Sequence, residues 1–143
     1  MIRHRNIEVS DATLECALYG AGDPVVLLAN AGCSTGYFDD LACTLAASGL
    51  MAVCINMRGV GESHGPLHDA TLHDLAADVA GVVEALGCGP AHLLGHAFGN
   101  LKIPLIVHTG PNTSAKSGCS CSIWEKRRMS GPSQSSRIVG MRS

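Results

Sequence analysis

Apolar and polar positions alternate in two regimes along the chain, and each regime predicts a different element. Residues 6–10 and 13–19 read as two short strands about a turn at Ser10-Asp11. Gly20-Ala21-Gly22-Asp23-Pro24 is a loop rich in turn-forming residues. Val25-Val26-Leu27-Leu28-Ala29 and Met51-Ala52-Val53-Cys54-Ile55 are unbroken apolar runs, the pattern of parallel strands buried on both faces. Between them a helix fits 38–48, with Asp39 and Asp40 in its first turn and Gly49 as its stop. The clearest helix follows the loop Asn56–Ala70. Its apolar positions Leu72, Leu75, Ala76, Val79, Val82, Val83 and Leu86 keep the 3.6-residue period, Thr71 with Asp74 resembles a capping box, and Gly87 ends it. Ala91–Leu94 is a further strand.

Strand and helix alternate from residue 25 onward. This predicts an α/β fold, a mostly parallel sheet with helices on both faces. Right-handed crossovers place the loops that follow the strands along one sheet edge. The segments 30–36, 56–70 and 95–100 should therefore converge, and any site is sought there.

Three motifs stand in those segments. Gly95-His96-Ala97-Phe98-Gly99 follows a strand and has the spacing of a nucleophile elbow, a sharp strand-to-helix turn that lifts one side chain above the sheet. Asn30-Ala31-Gly32 follows the first buried strand. Asn56-Met57-Arg58-Gly59-Val60-Gly61-Glu62-Ser63 follows the second. Together, in this order, they resemble the first half of the α/β-hydrolase fold superfamily over about residues 7–100. That family usually has His-Gly in the first loop and Asp where Asn56 stands.

The resemblance implies hydrolysis of a small apolar ester, lactone or amide, with no cofactor and no metal. It implies that the Phe98 backbone N–H, with a second donor at Ala31 or Gly32, faces a developing oxyanion. Gly95, His96 and Gly99 would shape the elbow, with His96 packed or backbone-bonded and pointing away from the site. Arg58, Gly59, Gly61 and Ser63 would hold the shape of their loop. The lifted residue, however, is Ala97, whose methyl group cannot attack a carbonyl. The family's acid and histidine follow later strands and have no recognisable counterpart here, since the tail offers only His108 and Glu125. The expectation is a truncated, inactive hydrolase-family protein. The alternative is a pseudoenzyme that binds a small ligand without turnover.

Composition adds a boundary. The first 100 residues hold 11 acids against 3 Lys and Arg, whereas the last 43 hold 7 Lys and Arg against one acid, Glu125. Serine goes from 4 to 9 across the same boundary and alanine from 16 to one. Two regions are expected: 1–100 as the domain, and 101–143 as an irregular, disordered tail. The tail reads either as a basic arm for an anionic partner, through Glu125-Lys126-Arg127-Arg128, or as a segment foreign to the domain, such as a shifted reading frame produces. Pro104 should compromise the helix after the elbow. The elbow strand would then be an open edge inviting self-association.

The remaining features mostly exclude. A net charge of -2 makes no case for nucleic acid or a membrane surface. No run of about 20 apolar residues is present, and Met1–Asn6 has no apolar stretch after its basic residues, so a cytoplasmic location is expected. Cys16, Cys33, Cys43, Cys54, Cys88, Cys119 and Cys121 are irregularly spaced and read as free buried thiols. His64, His68 and His73 have no metal-site spacing and read as solvated. Gly59-Val60-Gly61 begins a dinucleotide-binding pattern but lacks the third glycine and the helix.

Overall fold

A computed structural model describes residues 1–87, 91–109, 114–118 and 121–125. The N-terminal hairpin pairs β1 (Ile2–Val9) with β2 (Ala12–Gly20), and Ser10 takes a positive φ of 34° in the turn. The two apolar runs become β3 (Asp23–Leu28) and β4 (Leu50–Ile55), which pair in parallel with Val26 opposite Val53. Between them lie a 3-10 turn at Thr35–Phe38 and α1 (Asp39–Ala47). Helix α2 (Leu72–Leu86) begins at the expected capping box. The Thr71 hydroxyl accepts from the Asp74 N–H and the Asp74 carboxylate accepts from the Thr71 N–H, while Gly87 closes the helix at φ 59°. Strand β5 (His92–Gly95) pairs in parallel with β3 and leads into α3 (Phe98–Thr109).

Among the described residues the sheet runs β1-β2-β4-β3-β5-β7-β6, with β6 at Ser114–Gly118 and β7 at Cys121–Glu125. Parallel pairing is confined to the centre, β4-β3-β5. The hairpin joins β4 antiparallel and β7 joins β5 antiparallel, so antiparallel strands flank the parallel centre of an open mixed sheet.

Alternation along the central strands divides the core into two layers. Val26, Leu28, Val53 and Ile55 face α2 and α3, meeting Ala76, Val79, Val82, Ile103 and Ile106. Val25, Leu27, Ala52 and Cys54 face the opposite way, toward Ala42, Leu41 and Leu45 of α1. Helices thus cover both faces. The α2–α3 side holds the larger cluster, and the α1 side a smaller one that includes Tyr19 and Leu27.

Within 101–143 the described residues form the rest of α3 and the strands β6 and β7. Helix α3 crosses residue 100 and is continuous through Pro104 to Thr109. Ile103 and Ile106 are buried against the sheet, so tertiary packing outweighs the local cost of proline. The strand expected to be an open edge, β5, carries β7 at the register pair Leu94–Ile123. The basic run from Lys126 to Arg128 and the rest of the tail lie outside the described residues.

Candidate functional site

Because β3, β4 and β5 are parallel, the segments that leave their C-terminal ends emerge at one sheet edge. Hydrogen bonds tie these segments together. The Thr35 N–H donates to Asn56 Oδ1 at 2.6 Å, joining the segment after β3 to the one after β4. The Phe98 N–H donates to Asn30 Oδ1 at 3.4 Å, joining it to the bend after β5. The expected convergence of 30–36, 56–70 and 95–100 is therefore present.

The bend itself is sharp. Gly95 ends β5 and is buried, His96 and Ala97 lie outside regular structure, and Phe98 opens α3. Ala97 is exposed and has φ 49°, a left-handed conformation that costs an L-residue about 1 kcal/mol. Two contacts hold it there. The His96 N–H donates to the Leu28 carbonyl at 3.0 Å, and the Gly99 N–H donates to the His96 carbonyl at 2.9 Å. Gly99 is required by space. A Cβ at this position would run into the Leu28 carbonyl oxygen, because the first turn of α3 lies directly on the end of β3.

Ala31 and Gly32 are exposed beside this bend, with Gly32 at φ 75° and open space where a Cβ would stand. The Ala31 N–H donates to Asn30 Oδ1 at 2.9 Å, so one side-chain oxygen collects the amides of both Ala31 and Phe98. His96 differs from expectation. It is exposed, and its ring meets a side chain on the neighbouring loop, with Nδ1 3.2 Å from the Tyr37 hydroxyl and the two rings 5.6 Å apart.

The loop after β4 is a buried polar network. Arg58 Nε and Nη2 grip the two Asp78 oxygens at 2.7 and 2.8 Å, Nη2 also meets Asp11, and Nη1 donates to the Pro66 carbonyl. The Arg58 and Asp78 side chains are 4% and 1% exposed, so the pair is desolvated and its bidentate geometry is what makes it tolerable. Its hydrogen bonds to Asp78 raise the Arg58 pKa still further. One residue thereby links the β1–β2 turn, the loop and α2.

Ser63 is buried, accepting from the Glu15 N–H and donating to the Asn56 carbonyl, both at 2.8 Å. Asn56 donates to Glu15 Oε2 at 2.7 Å, a bond that an aspartate at this position could make only by keeping a proton. The Glu62 N–H, and then Asn56, hold the Glu15 carboxyl below its ordinary range. Gly61, at φ 56°, passes so close to Glu15 and Asn56 that any Cβ would collide with them. Gly59, at φ 79°, turns beneath Leu67.

Three further residues, Asp78, Lys102 and Asn30, have places in the structure that the roles implied by the motifs do not include. Asp78 sits on the apolar stripe of α2, between Leu75 and Val82, and an acid there signals a buried cation. Lys102 of α3 is 1% exposed, with its Nζ 5.2 Å from the centre of the Phe98 ring. Burial lowers its pKa to about 8, with Asp78 opposing the shift. Asn30 is legible only as a polar residue immediately after a buried strand.

Other candidates fall apart spatially. His64, His68 and His73 are all exposed, and among the described residues no three His, Cys, Asp or Glu side chains are grouped as a metal cluster requires. Cys16 and Cys54 are buried, and desolvation pushes both thiols up to about 12. Cys43 is exposed and Cys33 half-exposed, contrary to the expectation of uniform burial. Cys88 and Cys119 lie outside the described residues, as does the Cys121 side chain. No described helix is long and apolar enough to cross a membrane.

Comparison with known proteins agrees with this geometry. The family model for the alpha/beta hydrolase fold matches residues 24–100. A curated relative described as "Putative carbamate hydrolase RutD", from Azorhizobium caulinodans, is 32% identical over 91 residues, 64% of this chain and 34% of the relative. Among solved structures, epoxide hydrolase VrEH1 from Vigna radiata superposes with a TM-score of 0.71 at 24% identity, over 76% of this chain and 36% of that one. Epoxide Hydrolase A from Mycobacterium thermoresistibile gives 0.65 at 23% identity, over 72% and 34%. The chain thus spans about a third of the length of these relatives. From the match that begins in β3 and runs through the bend at Ala97, we conclude that the chain belongs to the α/β-hydrolase fold family.

Proposed function

We propose that the chain carries the oxygen-binding frame of an acyl-hydrolase site without the attacking atom. The bend at 95–99 serves as a nucleophile elbow, and the Phe98 and Ala31 amides serve as the donors of an oxyanion hole. The ligands are small, largely apolar esters, lactones or amides, or the acids they yield. The carbamate chemistry named for the curated relative lies on the amide side of that class. The observation that carries this reading is Ala97, an exposed residue at φ 49° between β5 and α3 whose side chain is a methyl group.

A hydroxyl or thiol at that crest could form an acyl intermediate, and a methyl cannot. The protein should therefore hydrolyse p-nitrophenyl acetate no faster than the same sample after heat denaturation. A rate in the folded protein well above that control would overturn the assignment of Ala97 to the nucleophile position. A second reading, ligand binding without turnover, is favoured by the two amides that already share one oxygen. Butyrate or a small lactone should then raise the melting temperature, and a screen in which none does so counts against it.

A further inference from the structure

We propose that the Asn30 side chain is a built-in occupant of the two-amide position, so that a ligand oxygen binds only by displacing it. The inference rests on the reading of the Phe98 and Ala31 amides as oxygen donors given above. Asn30 Oδ1 accepts from the Ala31 N–H at 2.9 Å and from the Phe98 N–H at 3.4 Å. The second donor is 68 residues away in sequence and belongs to a different strand-end segment. One sp2 oxygen receiving two convergent backbone N–H groups is the arrangement that a bound carbonyl or carboxylate oxygen would adopt. A carboxamide supplies that oxygen from within the chain.

The geometry also indicates how the occupant leaves. The Asn30 backbone carbonyl separately accepts from the Cys33 N–H at 3.2 Å, which holds the turn. Asn30 is exposed, so its side chain can rotate into solvent while the backbone stays in place. The bond to Phe98 is the longer of the two and is the weaker restraint.

Displacement sets a preference among ligands. A neutral ester carbonyl exchanges one neutral acceptor for another and gains little. A carboxylate makes charge-assisted bonds roughly twice as strong, at the N-terminus of α3 where negative charge is favoured. The site as built therefore takes small carboxylates in preference to esters.

The test uses the full chain, butyrate as the probe, and NMR observation of the Phe98 and Ala31 amides. Asn30→Ala empties the position and should bind butyrate about fivefold tighter than the wild type, the value of one unopposed hydrogen bond. Asn30→Asp places a carboxylate on the same amides. Its new carboxyl should titrate below the ordinary Asp range, with the Phe98 amide shift following that titration, and butyrate should no longer bind.

If Asn30→Ala and the wild type bind butyrate equally and both move the Phe98 amide, the occupant role is overturned while the site reading stands. If butyrate moves the Phe98 amide in neither protein, both fall. A carboxyl in Asn30→Asp that titrates in the ordinary range overturns the contact itself.

Discussion

The segment 56–66 leaves β4 and the bend 95–99 leaves β5, on either side of β3, yet they are held by opposite means. The first is fixed by two groups of side chains, Arg58 with Asp78 and Asp11, and Asn56 with Ser63 and Glu15, much of both buried. The second is shaped mainly by backbone, with a left-handed Ala97, the His96 and Gly99 amides bonded to main-chain carbonyls and a glycine pressed onto the Leu28 carbonyl, while side chains meet it at His96 and Phe98. A polar network tolerates no missing partner, whereas a packed turn tolerates no added atom. The side-chain network stands beside the candidate site as its support, and the strained turn presents the candidate chemistry.

Removing a partner should give the largest effect. Arg58→Met leaves Asp78 buried without its cation and should cost about 3–5 kcal/mol in urea unfolding. A loss below 1 kcal/mol would mean that the loop does not depend on the ion pair. Adding an atom to the bend comes next. Gly99→Ala drives a methyl into the Leu28 carbonyl and should cost about 2–3 kcal/mol.

Lys102 tests whether α3, which carries the bend, is itself compromised. The folded pKa of about 8 lies below the ordinary lysine value of 10.5. Below pH 8 the ammonium is charged in both folded and unfolded chains, and its burial costs stability. As pH rises from 8 to 10.5 the folded chain sheds the proton first and the cost fades. Lys102→Met should therefore stabilise by about 3 kcal/mol below pH 8, and the gain should shrink toward pH 10.5. A gain independent of pH would locate its origin in packing instead.

The smallest effect is expected at the crest. Ala97→Gly relieves the left-handed strain but loosens the unfolded chain, for a net gain of about 0.5 kcal/mol. Destabilisation there would show that the methyl group is itself packed.

The elements of the first 100 residues were largely readable because burial leaves a periodic trace. The Leu72–Leu86 stripe, its Thr71–Asp74 cap and Gly87 specify α2 to the residue. The central strands were equally plain, since residues buried on both faces leave no polar gaps. Pairing partners leave no such trace, so the antiparallel attachment of β7 to β5 was not expected. The Pro104 helix shows tertiary contact prevailing over local propensity. At the candidate site the motif spacing marked Ala97, Phe98 and Ala31. The role of Asn30 was hidden because it depends on where one side-chain oxygen points, which sequence spacing does not encode.

The two buried thiols have a practical use. Cys16 lies in the layer under α2 and α3, and Cys54 in the layer under α1, although their strands are neighbours. Sulfurs on opposite sides of a sheet cannot meet, so an oxidant cannot crosslink them in the native fold. Each is also screened from reagents until its own layer separates. Alkylation kinetics followed at each sulfur, with the exposed Cys43 as the fast internal standard, would therefore report the opening of one half of the molecule independently of the other.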